Sequence, residues 1–145
     1  MTADITGRCL CGSVQITIAG TYDPRPGACH CRMCQRWSGG MFLCFEVQAD
    51  AVTITGDVAR YPSSDFAERA FCPSCGSHLW MRDTGDAENA YDFMPGLFDA
   101  ARDWPMRSEI YTDQAMAAVQ LSGDHRRATR AEYEQKNRSV EGETQ

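Results

Sequence analysis

The stretch FCPSCGSHLW, residues 71–80, combines a C-x-x-C pair with the turn residues that a metal-binding loop needs. Pro73 fixes the backbone directly after Cys72, and Gly76 follows Cys75 with access to positive φ angles. Such a turn leaves backbone N–H groups able to point at the two sulfurs. The pattern predicts a zinc knuckle, which supplies two of the four ligands of a closed structural zinc site.

The stretch GRCLCGS, residues 7–13, is the candidate source of the other two ligands. In an extended segment, the C-x-C spacing places Cys9 and Cys11 on one face. A shared ion would then join the first strand to the middle of the chain. Because metal binding across so long a loop is coupled to folding, we expect this site to stabilise the whole domain.

A third group, CHCRMC at residues 29–34, has three thiols and no obvious fourth ligand. We expect Cys29 and Cys31 to share a face of an extended segment and Cys34 to follow on a short turn. Zinc held by three protein ligands keeps the open position that a catalytic or ligand-binding site needs. Alternatively, Cys44 closes the site as a fourth ligand, although its apolar neighbours in MFLCFE also suit a small buried residue of a strand.

The clustering of the 8 cysteines argues against a disulfide framework. Thiols one or two residues apart are poor disulfide partners, whereas their sulfurs converge readily on one ion. The N-terminal sequence lacks a basic start followed by an apolar run, and no stretch approaches the roughly 18 apolar residues of a membrane span. We therefore predict a cytoplasmic protein that binds Zn²⁺ and does not associate with membranes.

The charge of the chain disfavours nucleic acid as a partner. The formal net charge is −6, which would repel a phosphate backbone. Lys136 is the only lysine, and the other cationic residues are arginines, which suit bidentate contacts with carboxylates. A small anionic ligand is the favoured partner.

Short runs of β-branched and aromatic residues, separated by turn residues, predict a mainly β domain. Val14, Ile16 and Ile18 alternate with polar residues, as in a half-buried strand. We predict one zinc-containing β domain over residues 1–125 and a polar C-terminal helix or tail over residues 126–145. Further strands are predicted at residues 41–47, 51–56, 58–64, 68–72, 78–83, 91–98 and 108–112, and the helix in DHRRATRAEYEQK, residues 124–136.

The chain resembles the glutathione-dependent formaldehyde-activating enzyme family over about its first 80 residues. The resemblance is carried by three motifs in this order and at this separation: GRCLCGSV, CHCRMCQRWSGG and FCPSCGSHLW. Ser38 and Gly39 after the three-cysteine group also fit. The resemblance implies a zinc-stapled β-tent built from short antiparallel strands. It further implies a structural zinc on Cys9, Cys11, Cys72 and Cys75, and an active-site zinc on Cys29, Cys31 and Cys34.

The activity that the resemblance implies is carbon–sulfur lyase or synthase chemistry, the condensation of glutathione with formaldehyde to S-(hydroxymethyl)glutathione. A thiol adds to formaldehyde as its thiolate, which an open zinc position would hold beside the aldehyde carbon. The match fades after SEIYT, residues 108–112, so the thiol need not be glutathione. Because the uncatalysed addition is easy, a carrier or sensor of thiol adducts is an alternative, as is a non-enzymatic, zinc-stabilised binding module.

Three residues beside the second cysteine group are the candidate ligand contacts. Arg32 and Arg36 would contact the charged groups of a glutathione-like molecule, and Trp37 would form a wall of its site. The alternative for each is a solvated surface position. His30 lies between two ligands on an extended segment, so we expect its ring to point to the opposite face and its role to be structural or that of a surface residue rather than catalytic.

Overall fold

The computed structural model describes residues 3–85 and 90–140 and confirms a mainly β protein. The chain divides into two compact units. The first comprises Met1–Pro24 and Cys44–Trp104, and the second comprises Arg25–Leu43 and Pro105–Gln145. The proposed boundary between residues 125 and 126 stays a prediction. Within the described ranges, no helix has both the length and the apolar surface that crossing a membrane requires.

The described ranges contain eleven strands and two α-helices. The strands are β1 (Ile5–Arg8), β2 (Gln15–Ile18), β3 (Gly27–Cys29), β4 (Leu43–Val47), β5 (Val52–Thr55), β6 (Ala59–Pro62), β7 (Ala67–Phe71), β8 (His78–Asp83), β9 (Tyr91–Phe93), β10 (Ser108–Ile110) and β11 (Arg126–Ala128). The helices are α1 (Arg32–Ser38) and α2 (Arg130–Lys136).

The first unit is built from two antiparallel sheets, with strand orders β1-β2-β5 and β4-β9-β8-β7-β6. The predicted alternation in β2 is confirmed, since Ile16 and Ile18 are buried while Gln15 and Thr17 are exposed. The core is rich in aromatic side chains: the Phe45 ring meets Trp104 edge-on, with centroids 5.0 Å apart. Cys72 belongs to the same core and begins the turn between β7 and β8, which carries the knuckle.

The second unit has a different strand arrangement. Its order is β11-β10-β3, and β10 pairs in parallel with both neighbours. The expectation of antiparallel strands therefore holds in the first unit but not here. Parallel neighbours require crossover connections, and the chain supplies them in the long segments between β3 and β10 and between β10 and β11.

The C-terminal helix begins later than the sequence pattern predicts. Residues 126–128 form β11, and α2 starts only after Thr129. The Thr129 side chain accepts a hydrogen bond from the Glu132 N–H, and the Glu132 carboxylate accepts one from the Thr129 N–H. This capping box stabilises the start of the helix at that residue, and it explains why the predicted helix over residues 124–136 is too long.

Candidate metal centres

The first cysteine cluster comprises Cys9, Cys11, Cys72 and Cys75, whose Sγ atoms all lie within 4.8 Å of one another. Cys9 and Cys11 follow β1, and the other two lie in the turn between β7 and β8. The Sγ atom of Cys11 is 3.6 Å from that of Cys9 and 3.8 Å from that of Cys72. Sulfurs bound tetrahedrally at about 2.3 Å from zinc are about 3.8 Å apart, so the cluster has the dimensions of a closed zinc site.

The knuckle turn is closed by backbone hydrogen bonds. The Gly76 N–H donates to the Cys72 carbonyl at 2.8 Å, and the Cys72 N–H donates to the Ser77 carbonyl at 2.9 Å. Gly76 has a φ angle of 76°, in the left-handed region. The sequence prediction of a positive φ after Cys75 is therefore confirmed, and this turn directs both of its thiols toward the cluster.

Hydrogen bonds favour the thiolate form of two of these cysteines. Burial raises the pKa of Cys9, but hydrogen bonds to its sulfur, the strongest from the Val14 N–H, outweigh burial and lower the pKa to about 7. The Ser77 hydroxyl and N–H lower the pKa of Cys75 to about 5. Hydrogen bonds from Ser13 lower the pKa of Cys11, but the neighbouring Cys9 and Cys75 thiols and burial outweigh them, so its net pKa shift is upward. Since metals bind the thiolate, Cys9 and Cys75 are the two sulfurs of the first cluster that are prepared to take up a cation.

We expect the substitution Gly76→Ala to lower the free energy of unfolding by about 1–2 kcal/mol, because a side chain is disfavoured at positive φ. Urea denaturation of the metal-loaded protein measures this effect. Gly96→Ala is the matched control, since Gly96 has no positive φ and no atom within 4 Å of an added Cβ. Equal losses in the two variants would contradict the role given to the knuckle turn.

The second cysteine cluster comprises Cys29, Cys31 and Cys34, whose sulfurs also lie within 4.8 Å of one another. Cys29 ends β3, Cys31 precedes α1, and Cys34 lies in the first turn of that helix. Cys31 and Cys34 are buried, while Cys29 is partly exposed. Among the described residues, no fourth histidine, cysteine or carboxylate belongs to this cluster.

The position of Cys34 differs from the sequence prediction. We expected a short turn, but Cys34 lies in α1, where the Cys31 Sγ caps the helix by accepting the Cys34 N–H at 3.4 Å. Gly39 ends the helix with a φ of 85° and donates its N–H to the Gln35 carbonyl at 2.8 Å. The glycine pair after Ser38 was the available signal for this helix end.

Cys29 of the second cluster holds its proton tightly. Hydrogen bonding to the neighbouring thiols of Cys31 and Cys34, together with burial, raises the pKa of Cys29 well above its ordinary value. A bound cation would offset the repulsion among three thiolates, and metal binding would release protons. A compact set of three soft sulfur donors suits zinc, so the residues fit the ion that the sequence pattern implies.

Cys44 belongs to neither cluster of the described residues. It lies in β4 and is half-buried, as expected of a small side chain in a strand. All eight cysteines fall in the described ranges and none of them forms a disulfide. The alternative in which Cys44 completes the second cluster thus receives no support.

The sequence model of glutathione-dependent formaldehyde-activating enzymes matches residues 4–114. The chain belongs to this family. It is 32% identical over 108 residues to a Schizosaccharomyces pombe protein named as an uncharacterized lyase, covering 74% of this chain and 77% of that protein. A Halomonas elongata protein that bears the family's name is 26% identical over 102 residues, covering 64% of this chain and 65% of that protein.

A crystal structure of a Rhodobacter sphaeroides protein has a similar fold. Its TM-score to this chain is 0.52, the sequences are 16% identical, and the match covers 85% of this chain and 99% of the other. Together with the cysteine clusters, this likeness supports the β-tent expected of the family. The family match ends at Gln114, so β11 and α2 lie beyond it.

The candidate ligand contacts of this family member lie on α1. Arg32 and Arg36 are exposed and four residues apart, so they lie on one helix face, and neither forms an ion pair within the described ranges. Trp37 is half-buried beside them. Their contacts with a ligand remain a prediction.

A buried carboxylate that sequence reasoning missed lies in the second unit. Glu109 of β10 is only 6% exposed, and its partners include His30, which is 2% exposed, and His125. Burial raises the pKa of Glu109, but hydrogen bonds from His125 and His30 lower it by a larger amount, so the net pKa shift is downward. In the sequence Glu109 is one residue of a three-residue strand, and no pattern links it to residue 30 or 125.

Proposed function

We propose that this protein is a zinc-dependent carbon–sulfur lyase or synthase that joins glutathione to formaldehyde, giving S-(hydroxymethyl)glutathione. The observation that carries the proposal is the second cluster, with three convergent thiols and no fourth ligand among the described residues. Zinc bound by Cys29, Cys31 and Cys34 would supply an open position that takes up the substrate sulfur and lowers its pKa. A second zinc on the first cluster would be structural.

The chain's own residues would orient the thiol substrate. The guanidinium groups of Arg32 and Arg36 face solvent on one side of α1, where they would form bidentate contacts with the carboxylates of glutathione. Trp37 would give the site an apolar wall. In the reaction the thiol S–H bond breaks, an S–C bond forms, and the carbonyl oxygen of formaldehyde ends as a hydroxyl. Holding the two reactants together is the expected contribution of the protein.

The reduced cysteines fit a reducing compartment. All eight are thiols, as both clusters require for metal binding. The proposed location of the protein is therefore the cytoplasm. A small thiol and a small aldehyde are its expected partners.

Titration of the cobalt-substituted protein with glutathione tests the proposed function. We expect two cobalt ions per chain, and one equivalent of glutathione should change the visible spectrum of the second site while leaving that of the first unchanged. The reason is that a new sulfur ligand at an open position alters the ligand field. S-Methylglutathione, which has the same charges and no thiol, is the control and should leave the spectrum unchanged.

A second cobalt site that does not respond to glutathione would contradict the proposal. Thiol binding without any acceleration of adduct formation from formaldehyde would instead support a carrier of thiol adducts.

A further inference from the structure

His30 lies between two cysteines of the second cluster, and its backbone N–H, its carbonyl and its ring Nε2 all have partners. Its N–H donates to the Ile110 carbonyl at 3.0 Å, and its carbonyl accepts a hydrogen bond from the Gln35 side chain at 2.7 Å. Its ring Nε2 donates to Glu109 Oε1 at 2.8 Å. The residue that connects Cys29 to Cys31 is therefore fixed by its backbone and by its side chain.

Glu109 is the partner that fixes the His30 ring. Its second oxygen, Oε2, contacts His125 Nε2 and accepts a hydrogen bond from Arg127 Nε at 3.1 Å. The two oxygens thus have different partners: Oε1 contacts His30, and Oε2 contacts His125 and Arg127. A buried carboxylate is tolerated only when it is paired in this way, so three donors keep Glu109 ionised and in one orientation.

The need for such support follows from the number of ligands. In a closed four-ligand site the ion itself fixes the geometry of the chain, but a site with three protein ligands must keep its open position aimed at the substrate. Any rotation of the chain at His30 would move Cys29 and Cys31 relative to each other, because both are bonded to it. Partners of this kind behind the ligands orient them, and their loss typically weakens metal binding about 10- to 100-fold.

We infer that Glu109 is a positioning residue for the second metal centre and that it acts through His30. The inference rests on the proposed function only in requiring that the second cluster binds a metal ion. His30 is not itself a ligand, because neither of its ring nitrogens belongs to the group of atoms around Cys29, Cys31 and Cys34 that could hold an ion. Glu109 lies outside all three cysteine motifs of the sequence.

Metal titrations of the full chain, without thiol or aldehyde, test this inference. Cobalt affinities of the two sites are measured by competition with a chelator in the wild type, Glu109→Gln and His30→Gln. Both variants should bind cobalt about 10- to 100-fold more weakly at the second site, with an altered visible spectrum, and normally at the first. The double variant should be no weaker than either single variant, since the two residues act as one unit.

Arg127→Gln is the matched control. It removes one contact on Oε2 and leaves the contact between Oε1 and His30 in place. Its second-site affinity should stay close to that of the wild type, even if its melting temperature falls. His30→Gln leaves Glu109 paired with His125 and Arg127, so this variant decides the question if Glu109→Gln does not fold.

Wild-type affinity at the second site in His30→Gln would overturn the inference. Equal weakening by Arg127→Gln would also overturn it, because the network would then act only through the stability of the second unit. A wild-type protein that binds cobalt at both sites but ignores glutathione would defeat the proposed function and leave this inference standing.

Discussion

Replacing Cys72 by serine is expected to leave the chain unfolded or insoluble. Cys72 is fully buried in the core of the first unit, and its sulfur is one of four in the first cluster. Structural zinc sites contribute apparent binding free energies of about 10–16 kcal/mol, whereas a folded domain is stable by only about 5–15 kcal/mol. If the cluster binds zinc as proposed, losing the ion would therefore remove about as much free energy as stabilises the fold. Soluble yield and circular dichroism measure the effect.

Cys44→Ser is the matched control for this experiment. Cys44 is a half-buried thiol of β4 that belongs to neither cluster, so its replacement should cost about 1 kcal/mol and leave the protein soluble. If Cys72→Ser and Cys44→Ser were equally tolerated, the first cluster would not be a structural metal site.

Replacing Cys31 by serine is expected to abolish catalysis while preserving the fold. The change removes one sulfur from the second cluster. Loss of a residue that only supports a ligand weakens metal binding by up to about 100-fold, and loss of a ligand itself should weaken it by more. Serine is a favoured residue at the start of a helix, so its hydroxyl can replace the Cys31 sulfur as the cap of α1. Adduct formation from glutathione and formaldehyde should fall to the uncatalysed rate.

The same variant separates the two clusters. Cys31→Ser should retain about one metal ion per chain, because the first cluster keeps all four of its sulfurs. Its circular dichroism should match that of the wild type. Catalysis at the wild-type rate in Cys31→Ser would show that the second cluster is not the active site.

The two cysteine clusters could be predicted from the sequence because each is built from neighbouring cysteines that lie two or three positions apart, a spacing typical of metal ligands. The spacings C-x-C and C-x-x-C place two sulfurs together locally, and one ion then requires the pairs to meet. The helix α1 could not be found in the same way. It has only seven residues, too short for a hydrophobic period to show, and a cysteine sulfur rather than a typical capping side chain begins it.

The Glu109 network could not be predicted because every contact in it is long-range. Glu109 meets His30 across 79 positions and His125 across 16. These contacts depend on the parallel pairing of β10 with its neighbours, which leaves no periodic pattern in the sequence. Because a charged residue in a short strand is usually exposed, the residue type alone would predict that Glu109 lies at the surface.

The wide separation of the sulfurs in the first cluster has a consequence for biosynthesis. Cys11 and Cys72 are 61 positions apart, so the early pair leaves the ribosome well before its partners. At about 5–20 residues per second, the delay amounts to several seconds. During that interval Cys9 and Cys11 form only half of a chelate, and the nascent chain depends on a reducing environment and on the local supply of the ion.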